Sequence, residues 1–419
     1  MTLILFVSFL VLLLLGLPVA IAIALSSIVV LVKEGIPLLI VTQRMFSGAD
    51  SFALIAVPFF ILAGDLMAKG KISEKLVEFA DAVFGFMKGG LSIVAVLAGM
   101  FFAAISGSGA ATTAAVGTTL VPELKRKGYD EASSASLIAA SGTIGVVIPP
   151  SVPMILYAVI ADQSVARLFL NGFIPGTLMG VTLIFIAIKQ AHSRNYPKGS
   201  KFSVKNILKT FRDALWGLLT PVIILGGIFS GYFTPSEAAV IAVNWALFVS
   251  LFIYRDMKLK DVVKIISRSA MTMSVIMFII ATSSIMSWVL ANWNIPSIIA
   301  SGVLSLSSNP FIILFLITCI ILITGIFMET ASALIILTPV FLPLINQIGV
   351  DPVHFGLIIV VGLSIGMITP PVAINLYVAS TITGLSIEKM TKAILPFMTG
   401  LLFVLMLIVY LPMWIPLIF

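Results

Sequence analysis

The feature that most constrains this chain is its series of long uncharged apolar segments, separated by glycine, proline and short polar runs. The first, residues 3–32, is too long for the apolar part of a signal peptide, so we predict a first span there. Hydrophobic residues make up 60% of the chain and charged residues 10%, whereas a soluble domain carries about 25% charged residues. The segments lack the short alternating pattern of a membrane barrel. The sequence therefore predicts an all-α polytopic membrane protein.

Several classes of function find no support in the sequence. Cys319 lies alone in an apolar run, and His192 and His354 are far apart, so neither a disulfide nor a metal cluster is indicated. No Walker loop, dinucleotide fingerprint or HExxH motif occurs. The net charge of +7 comes from loops and is not a nucleic-acid signal. An intramembrane enzyme would need a catalytic pair, but the aspartates cluster in loops. We expect no enzymatic activity, no cofactor and no nucleic-acid partner.

The distribution of Lys and Arg predicts the orientation of the chain. Two basic runs, 192–213 and 255–268, are assigned to cytoplasmic loops by the positive-inside rule. Two predicted spans over 214–254 join them, and two spans return a chain to the same side. Between 269 and 388 there is no Lys or Arg, so we predict no cytoplasmic loop in that region.

Two apolar segments are predicted to form re-entrant hairpins. Residues 89–124 are interrupted by "SGSGAATT" and have Lys88 and Lys125 at their ends, so this segment should enter and leave on the cytoplasmic side. Residues 310–347 are broken at "TGIFMETAS" and follow a predicted external segment at 292–309. The second hairpin should therefore enter from the outside.

A broken helix is predicted after each hairpin, because "GTIGVVIPPSVP" and "LSIGMITPP" place prolines inside apolar segments, where they stop a helix. A shift of 221 residues superposes 121–150 on 342–371 with eight identities. They include Gly128 with Gly349, Asp130 with Asp351, and Pro149-Pro150 with Pro370-Pro371. A single Pro-Pro is usually a structural kink, but two at matched positions favour a functional break. Because the hairpins enter from opposite sides, the repeats are inverted, as is typical of secondary transporters.

These elements predict five regions. They are scaffold helices at 1–68, a first arm, hairpin and broken helix at 69–172, scaffold helices and cytoplasmic loops at 173–291, a second arm, hairpin and broken helix at 292–393, and a C-terminal span at 394–419.

Seven motifs together resemble one transporter family. They are "GLPVAIAIA", "VPFFILAGDLMAKGKISEKLVEFA", "FFAAISGSGAATTAAVG", "IPPSVPMILYA", "GYFTPSEAAVIA", "ILTPVFLP" and "ITPPVAINLY". They resemble the large membrane subunit of tripartite ATP-independent periplasmic (TRAP) transporters over essentially the whole chain. Many members of that family have Asp where this chain has Glu329.

The resemblance implies a sodium-driven importer of organic acids in the bacterial inner membrane, working by an elevator mechanism. It also implies two protein partners, a small four-helix membrane subunit and a soluble periplasmic substrate-binding protein. Sialic acid and C4-dicarboxylates are both possible substrates, and the sialic acid group is preferred. The alternative is a stand-alone sodium/dicarboxylate-type or ion symporter of similar architecture.

The breaks predict two sites for the coupling sodium ions. Unwound backbone within a membrane persists only where it is buried or lines a polar cavity, and its free carbonyls can coordinate a cation. One ion is expected where the first hairpin meets the first break and a second at the equivalent place. The predicted residues are Ser106, Gly107, Thr143, Gly145 and Pro150 for the first site, and Gly325, Ser364, Gly366, Thr369 and Pro371 for the second. Tight packing of small residues at the hairpin tip is the structural alternative.

Four residues are predicted to contact the organic anion. Neither hairpin tip and neither break contains Lys or Arg, so backbone N–H groups, hydroxyls and sodium must compensate the substrate carboxylate. Ser108 and Ser151 are the expected donors, and Glu329 should bind hydroxyl or amide groups of the substrate away from its carboxylate. Asn375, deeper along "PPVAINLY", is the next candidate.

Overall fold

The computed structural model of the protein describes residues 1–199, 202–307 and 309–414. These residues form nineteen α-helices. They are α1 (Thr2–Leu14), α2 (Val19–Lys33), α3 (Leu39–Ala49), α4 (Ala56–Lys69), α5 (Lys71–Phe84), α6 (Gly90–Ser106), α7 (Gly109–Arg126), α8 (Glu131–Thr143), α9 (Val152–Ile160), α10 (Val165–Ser193), α11 (Val204–Phe229), α12 (Pro235–Phe248), α13 (Leu259–Asn292), α14 (Ile295–Leu306), α15 (Pro310–Phe327), α16 (Thr330–Gln347), α17 (Pro352–Gly366), α18 (Ile374–Thr383) and α19 (Ile387–Trp414). Eight helices of the described chain are long and apolar enough to cross a membrane. The prediction of a helical polytopic membrane fold is confirmed.

Both predicted hairpins and both predicted breaks are present. The first unit consists of hairpin α6–α7 and the broken helix α8–α9, and the second consists of hairpin α15–α16 and the broken helix α17–α18. The units also interlock, because α7 packs on α18 while α16 packs on α9. The second helix of each hairpin therefore lies against the break of the other unit.

The residues shared by the two repeats have matching local roles. Gly128 and Gly349 have φ of +76° and +72° just after α7 and α16, a backbone conformation that glycine adopts without steric cost. Asp130 and Asp351 then cap α8 and α17 by accepting backbone N–H groups with their carboxylates. The two Pro-Pro bonds are both cis and lie at the two breaks. The repeat identities thus preserve a turn, a cap and a break.

Ion pairs at the two ends of α10 confirm that the units are inverted. Arg194, just past the C-terminal end of α10, pairs with Asp130 at 2.7 Å, and Arg167, in its first turn, pairs with Asp351 at 3.1 Å. A 29-residue helix is about 43 Å long. The equivalent starts of the two broken helices therefore lie at opposite ends of a membrane-spanning helix.

The remaining helices divide by what they contact. Helix α13 packs on α2, α3 and α4, and α12 packs on α4 and α11, which together form the scaffold. Helices α10 and α19 pack mainly on the hairpins and broken helices. The predicted region boundaries at 172/173 and 393/394 fall inside α10 and α19. The five-region division stays a prediction.

Two local predictions were wrong. Residues 3–32 are not one span, because Gly16 adopts φ of +82° after α1, Pro18 precedes α2, and the two short helices pack on each other. The basic runs 192–213 and 255–268 are not loops throughout, because α11 begins at Val204 within the first and α13 begins at Leu259 within the second. A 34-residue helix exceeds the roughly 20 residues that cross the hydrocarbon, so its basic first turns extend beyond it.

Candidate functional site

A cavity of about 750 Å³ lies between the two hairpin tips and the scaffold helices α4 and α13. Ser106–Gly109 line it from the first tip, and Glu329–Ala331 line it from the second. Met367 and Ile374 lie at the second break, and Val152 and Pro153 follow the first break. We call this space the central cavity. It brings both hairpins, both breaks and the scaffold to one place.

The central cavity extends toward the side that the basic runs assign to the cytoplasm. Its lining continues along α7 from Ala110 to Thr118, toward the basic end of that helix. On α13 it continues from Ile276 to Lys264, toward the basic start of the helix. The second hairpin is packed against α13 and α14 instead. The cavity therefore extends toward the ends of α7 and α13 that the positive-inside rule assigns to the cytoplasm.

At the first tip, three oxygen atoms converge beside the first break. The Thr112 hydroxyl donates to the Ser108 carbonyl at 2.8 Å and lies 3.0 Å from the Ser106 hydroxyl. A Cβ added to Gly145 would lie 2.5 Å from the Thr112 hydroxyl and 2.7 Å from the Ser108 carbonyl. Only glycine lets the break come this close. Hard oxygen atoms in such an arrangement suit a sodium ion.

The first tip also touches the prolines of the break. Gly107 has φ of +60°, and a Cβ there would lie 2.8 Å from the Pro150 carbonyl oxygen. Four of the five residues predicted for the first sodium site are thus brought together. The exception is Thr143, whose hydroxyl donates to the Ala140 carbonyl of its own helix at 2.7 Å.

The second unit joins its tip and break through backbone contact. Gly325 and Gly366 are packed so closely that a Cβ on Gly366 would collide with the Gly325 carbonyl group. The hydroxyls of Ser364 and Thr369 donate to carbonyls of the preceding turn, at Val361 and Ile365. Pro371 is exposed at the break. Two of the five residues predicted here therefore touch, while the predicted hydroxyls are directed back along the chain.

Ser108 and Glu329 face the central cavity from opposite tips and share a second role. The Ser108 hydroxyl caps α7 by accepting from the Ala111 N–H at 3.4 Å. The Glu329 carboxylate caps α16 by accepting from the Ala331 and Ser332 N–H groups at 3.0 and 3.2 Å. Sequence reasoning paired these residues across the site but missed their capping role. The capping oxygen of Glu329 is engaged by its own helix, and its second oxygen accepts neither of these bonds.

The other two predicted substrate residues are buried beside the cavity and do not line it. The Ser151 hydroxyl donates to the Val146 carbonyl at 2.5 Å and accepts from the Met154 N–H, so it is fully engaged within the break. The Asn375 amide nitrogen donates to the Ala139 carbonyl at 3.2 Å, while its amide oxygen is buried without a hydrogen-bond partner. Asn375 therefore links the second break to α8.

Sequence reasoning missed the basic side chains of the scaffold wall. Lys69 of α4 and Lys264 and Arg268 of α13 line the central cavity. The signal was available in the sequence as a spacing of four between the two α13 residues, which places both on one helix face. Because 255–268 was predicted to be a loop, that spacing was not used. Asp65 also lines the cavity and accepts from the Ser269 hydroxyl at 2.6 Å.

Residues 6–414 match the family described as the tripartite ATP-independent periplasmic transporter, DctM component. The C4-dicarboxylate TRAP transporter large permease protein DctM of Pseudomonas aeruginosa is 42% identical, covering 88% of this chain and 86% of the relative. The sialic acid TRAP transporter large permease protein SiaM of Vibrio cholerae is 35% identical, covering 88% of this chain and 87% of the relative. The isethionate TRAP transporter permease protein DctMQ of Oleidesulfovibrio alaskensis is 40% identical over 98% of this chain, which spans 65% of that protein.

The fold also resembles a solved structure. The crystal structure of the Alcanivorax borkumensis YdaH transporter superposes with a TM-score of 0.64, covering 90% of this chain and 88% of that one at 15% identity. That likeness supports the fold alone. The family match and the relatives agree that this is a transporter permease of the bacterial inner membrane and not an enzyme. The chain belongs to the DctM family of large membrane subunits of tripartite ATP-independent periplasmic transporters.

Proposed function

We propose that this chain is the permease subunit of a sodium-coupled importer that receives an organic acid from a soluble binding protein and moves it by an elevator mechanism. One observation carries the proposal: two inverted hairpins and two broken helices meet at a single cavity against a separate scaffold. In such an arrangement the hairpin units can shift along the scaffold and carry a bound substrate across the membrane.

Sodium coupling follows from the chemistry of the first tip. The Ser106 and Thr112 hydroxyls and the Ser108 carbonyl supply hard oxygen atoms beside the first break. A sodium ion bound there would place positive charge next to a substrate carboxylate in the central cavity. Anion binding then depends on sodium, and this mutual dependence couples the two fluxes without ATP.

The partners are proposed from the relatives. The names of the relatives place them in transporters with separate components, and one is named DctMQ and extends well beyond the matched region. We propose that a small four-helix membrane subunit docks on the scaffold of this chain and that a periplasmic binding protein delivers the substrate. A stand-alone symporter would need neither partner.

The substrate is proposed to be a small organic anion. Relatives are named for C4-dicarboxylates, isethionate, 2,3-diketo-L-gulonate and sialic acid, all of which are organic acids. This range supports the acid class and does not favour sialic acid over the others. C4-dicarboxylate and sialic acid remain the two substrates to test first.

The decisive experiment is uptake by proteoliposomes that contain the chain and its small subunit, with the cognate binding protein added outside. Labelled succinate, sialic acid, isethionate and 2,3-diketo-L-gulonate are offered with and without an inward sodium gradient. We expect uptake of one acid only with the gradient, the binding protein and the small subunit. Sodium-driven uptake by this chain alone would instead support the stand-alone symporter, and sodium-independent uptake would contradict the coupling.

A further inference from the structure

Three basic residues of the scaffold form a second polar region of the central cavity, away from the hairpin tips. We infer that Lys264 and Arg268 of α13, assisted by Lys69 of α4, form an anion-binding station on the cytoplasmic side, which receives the substrate carboxylate as it leaves the tips. This inference rests on the proposed function for the identity of the anion. We call the three residues the basic wall.

Residues spaced four apart on α13 place one face of this helix along the cavity. Lys264, Arg268, Thr272 and Ile276 all line it and are four residues apart. Each step of four residues rises about 6 Å along a helix, so the row from Lys264 to Ile276 is about 18 Å long. It changes from apolar Ile276, through the Thr272 hydroxyl, to two cations at the cytoplasmic end. A carboxylate leaving the tips therefore meets increasing positive charge along α13.

The cations of the basic wall are not neutralised by fixed partners. None of the three takes part in an ion pair among residues 1–199, 202–307 and 309–414. All three are exposed. Asp65 is the carboxylate nearest in sequence to Lys69, and one of its oxygens is already engaged by the Ser269 hydroxyl. At the tip the lining carries the carboxyl group of Glu329 and no basic side chain. The lining of the central cavity therefore becomes more positive from the tips toward the cytoplasmic end.

Because the basic wall lies on the scaffold, it can contact the anion in one transport state and not in the other. Helix α13 is held by α2, α3 and α4, so Lys264 and Arg268 stay in place when the hairpins move. The substrate can reach them only when the tips lie at this depth. Cations that contact the anion in one state and not in the other favour that state by their differential affinity. The wall thus favours the cytoplasm-facing loaded state and accepts the anion from the tips.

The test measures the charge of the cavity with thiol reagents, independently of transport. Thr272→Cys is introduced in a Cys319→Ser background, which removes the single native cysteine. Inside-out membrane vesicles with the full complex are treated with a negatively charged and with a positively charged methanethiosulfonate. The ratio of the two rates cancels any change in thiol ionisation, because both reagents attack the same thiolate.

We expect the anionic reagent to be favoured, and the rate ratio to fall about tenfold when Lys264→Gln and Arg268→Gln are combined, since surface potentials reach several kT. Lys205→Gln is the matched control, because it removes the same charge from the exposed start of α11, on another helix, and does not line the cavity. It should change the ratio less than twofold, and Arg268→Lys should keep most of the effect. A ratio that is equal in parent and double variant overturns the inference.

The result is separable from the test of function. A falling ratio supports the basic wall even if none of the acids is taken up, in which case the proposed function fails alone. Sodium-driven uptake together with an unchanged rate ratio would support the proposed function and would overturn the inference about the basic wall. In a complex that does transport, saturating substrate should slow the anionic reagent at Thr272→Cys, and this protection should require tenfold more substrate in the double variant.

Discussion

The two hairpin units have the same plan but differ in how they are held together. In the first unit the tip and break are joined by hydroxyl and carbonyl contacts, and α9 is capped by the engaged Ser151 hydroxyl. In the second unit the contact is backbone against backbone, and Ala373, which precedes α18, has φ of +42° and provides no side-chain cap. The buried oxygens of Thr330 and Asn375 also lack hydrogen-bond partners in this unit.

This difference indicates that the two units have different roles in binding. The first unit has a dense set of satisfied oxygen contacts, which favours a rigid ion site. The second unit has a charged tip and unpaired buried oxygens, and such groups cost free energy unless a ligand or ion satisfies them. We therefore expect sodium affinity to depend more on the first unit and substrate affinity more on the second. Each prediction below tests this contrast.

The largest effect is expected at the backbone contact of the second unit. Gly366→Ala places a methyl group against the Gly325 carbonyl, which is backbone and cannot rotate away. Overpacking of this kind typically costs 1–3 kcal/mol or more, and we expect uptake to fall below detection or the complex to lose stability. Thermal unfolding in detergent and uptake by proteoliposomes measure the two effects.

Gly226→Ala is the control for this change. A Cβ at Gly226, inside α11, has no neighbour within 4 Å, and alanine is favoured over glycine in a helix by about 1 kcal/mol. It should leave uptake unchanged and raise stability slightly. Normal uptake by Gly366→Ala would mean that the second tip and break are not in contact during transport.

The next effect concerns the two capping residues of the tips. Glu329→Gln keeps an oxygen that can accept from the Ala331 and Ser332 N–H groups but removes the charge. A hydrogen bond to a charged group contributes about 1.5–3 kcal/mol, so we expect at least a tenfold lower uptake efficiency at saturating sodium. Ser108→Ala removes a neutral hydrogen-bonding group, which contributes about 1 kcal/mol, so we expect uptake efficiency to fall roughly fivefold.

Complex assembly is verified for both variants before uptake is compared. If Glu329→Gln transports normally while Glu329→Ala does not, Glu329 is only a cap, and the contrast between the tips disappears. If both Ser108→Ala and Glu329→Gln are normal, the substrate lies deeper, where Asn375 is the next residue to test.

The extent to which these sites could be predicted depends on the kind of signal. The hairpins, breaks and inversion were predictable because they depend on glycines, prolines and charges whose backbone or topological effect is local. The role of Lys264 and Arg268 was missed because the run 255–268 was assigned to a loop from charge alone. Helical side chains point toward a cavity only after the tertiary packing is known.

Hydroxyl groups show a second limit on predicting site residues from the sequence. Thr143 was predicted as a sodium ligand and Ser151 as a donor to the substrate carboxylate. In the structure their hydroxyls donate to the Ala140 and Val146 carbonyls. Thr112 was not predicted, although it lies beside Ser106 and Gly145 in the structure. Polarity alone cannot tell a hydroxyl that bonds only to its own turn from one that, like that of Thr112, bonds to its own turn and also meets another hydroxyl of the tip.

A smaller effect is expected for the sodium dependence. Thr112→Val removes an oxygen from the cluster at the first tip, and we expect the sodium concentration for half-maximal uptake to rise several-fold. Thr143→Val and Thr369→Val should raise it less. All three hydroxyls donate to a carbonyl of the preceding turn, but of the three it is the Thr112 hydroxyl that also lies 3.0 Å from a second tip hydroxyl, that of Ser106. Uptake at varied sodium and fixed substrate measures the effect. A larger shift for Thr369→Val than for Thr112→Val would assign the main ion site to the second unit.

The smallest effect is expected at the ion pairs that fix the ends of α10. Arg194 and Arg167 pair with the equivalent residues Asp130 and Asp351, so the two pairs test whether the units are anchored alike. The four side chains are between 41% and 56% exposed, and ion pairs with this exposure contribute less than about 1 kcal/mol.

Arg194→Gln and Arg167→Gln should therefore each lower the thermal midpoint only slightly, and by similar amounts. The Debye length falls from about 10 Å at 0.1 M salt to about 3 Å at 1 M, which is close to the distance within each pair, so the difference from the parent should become smaller at 1 M. Lys205→Gln, at the exposed start of α11 and outside the ion pairs of the described chain, is the matched control. A loss at one end of α10 several times larger than at the other, and retained at 1 M salt, would show that one broken helix is anchored to α10 far more strongly. In that case the difference between the units would extend from their tips to their ends.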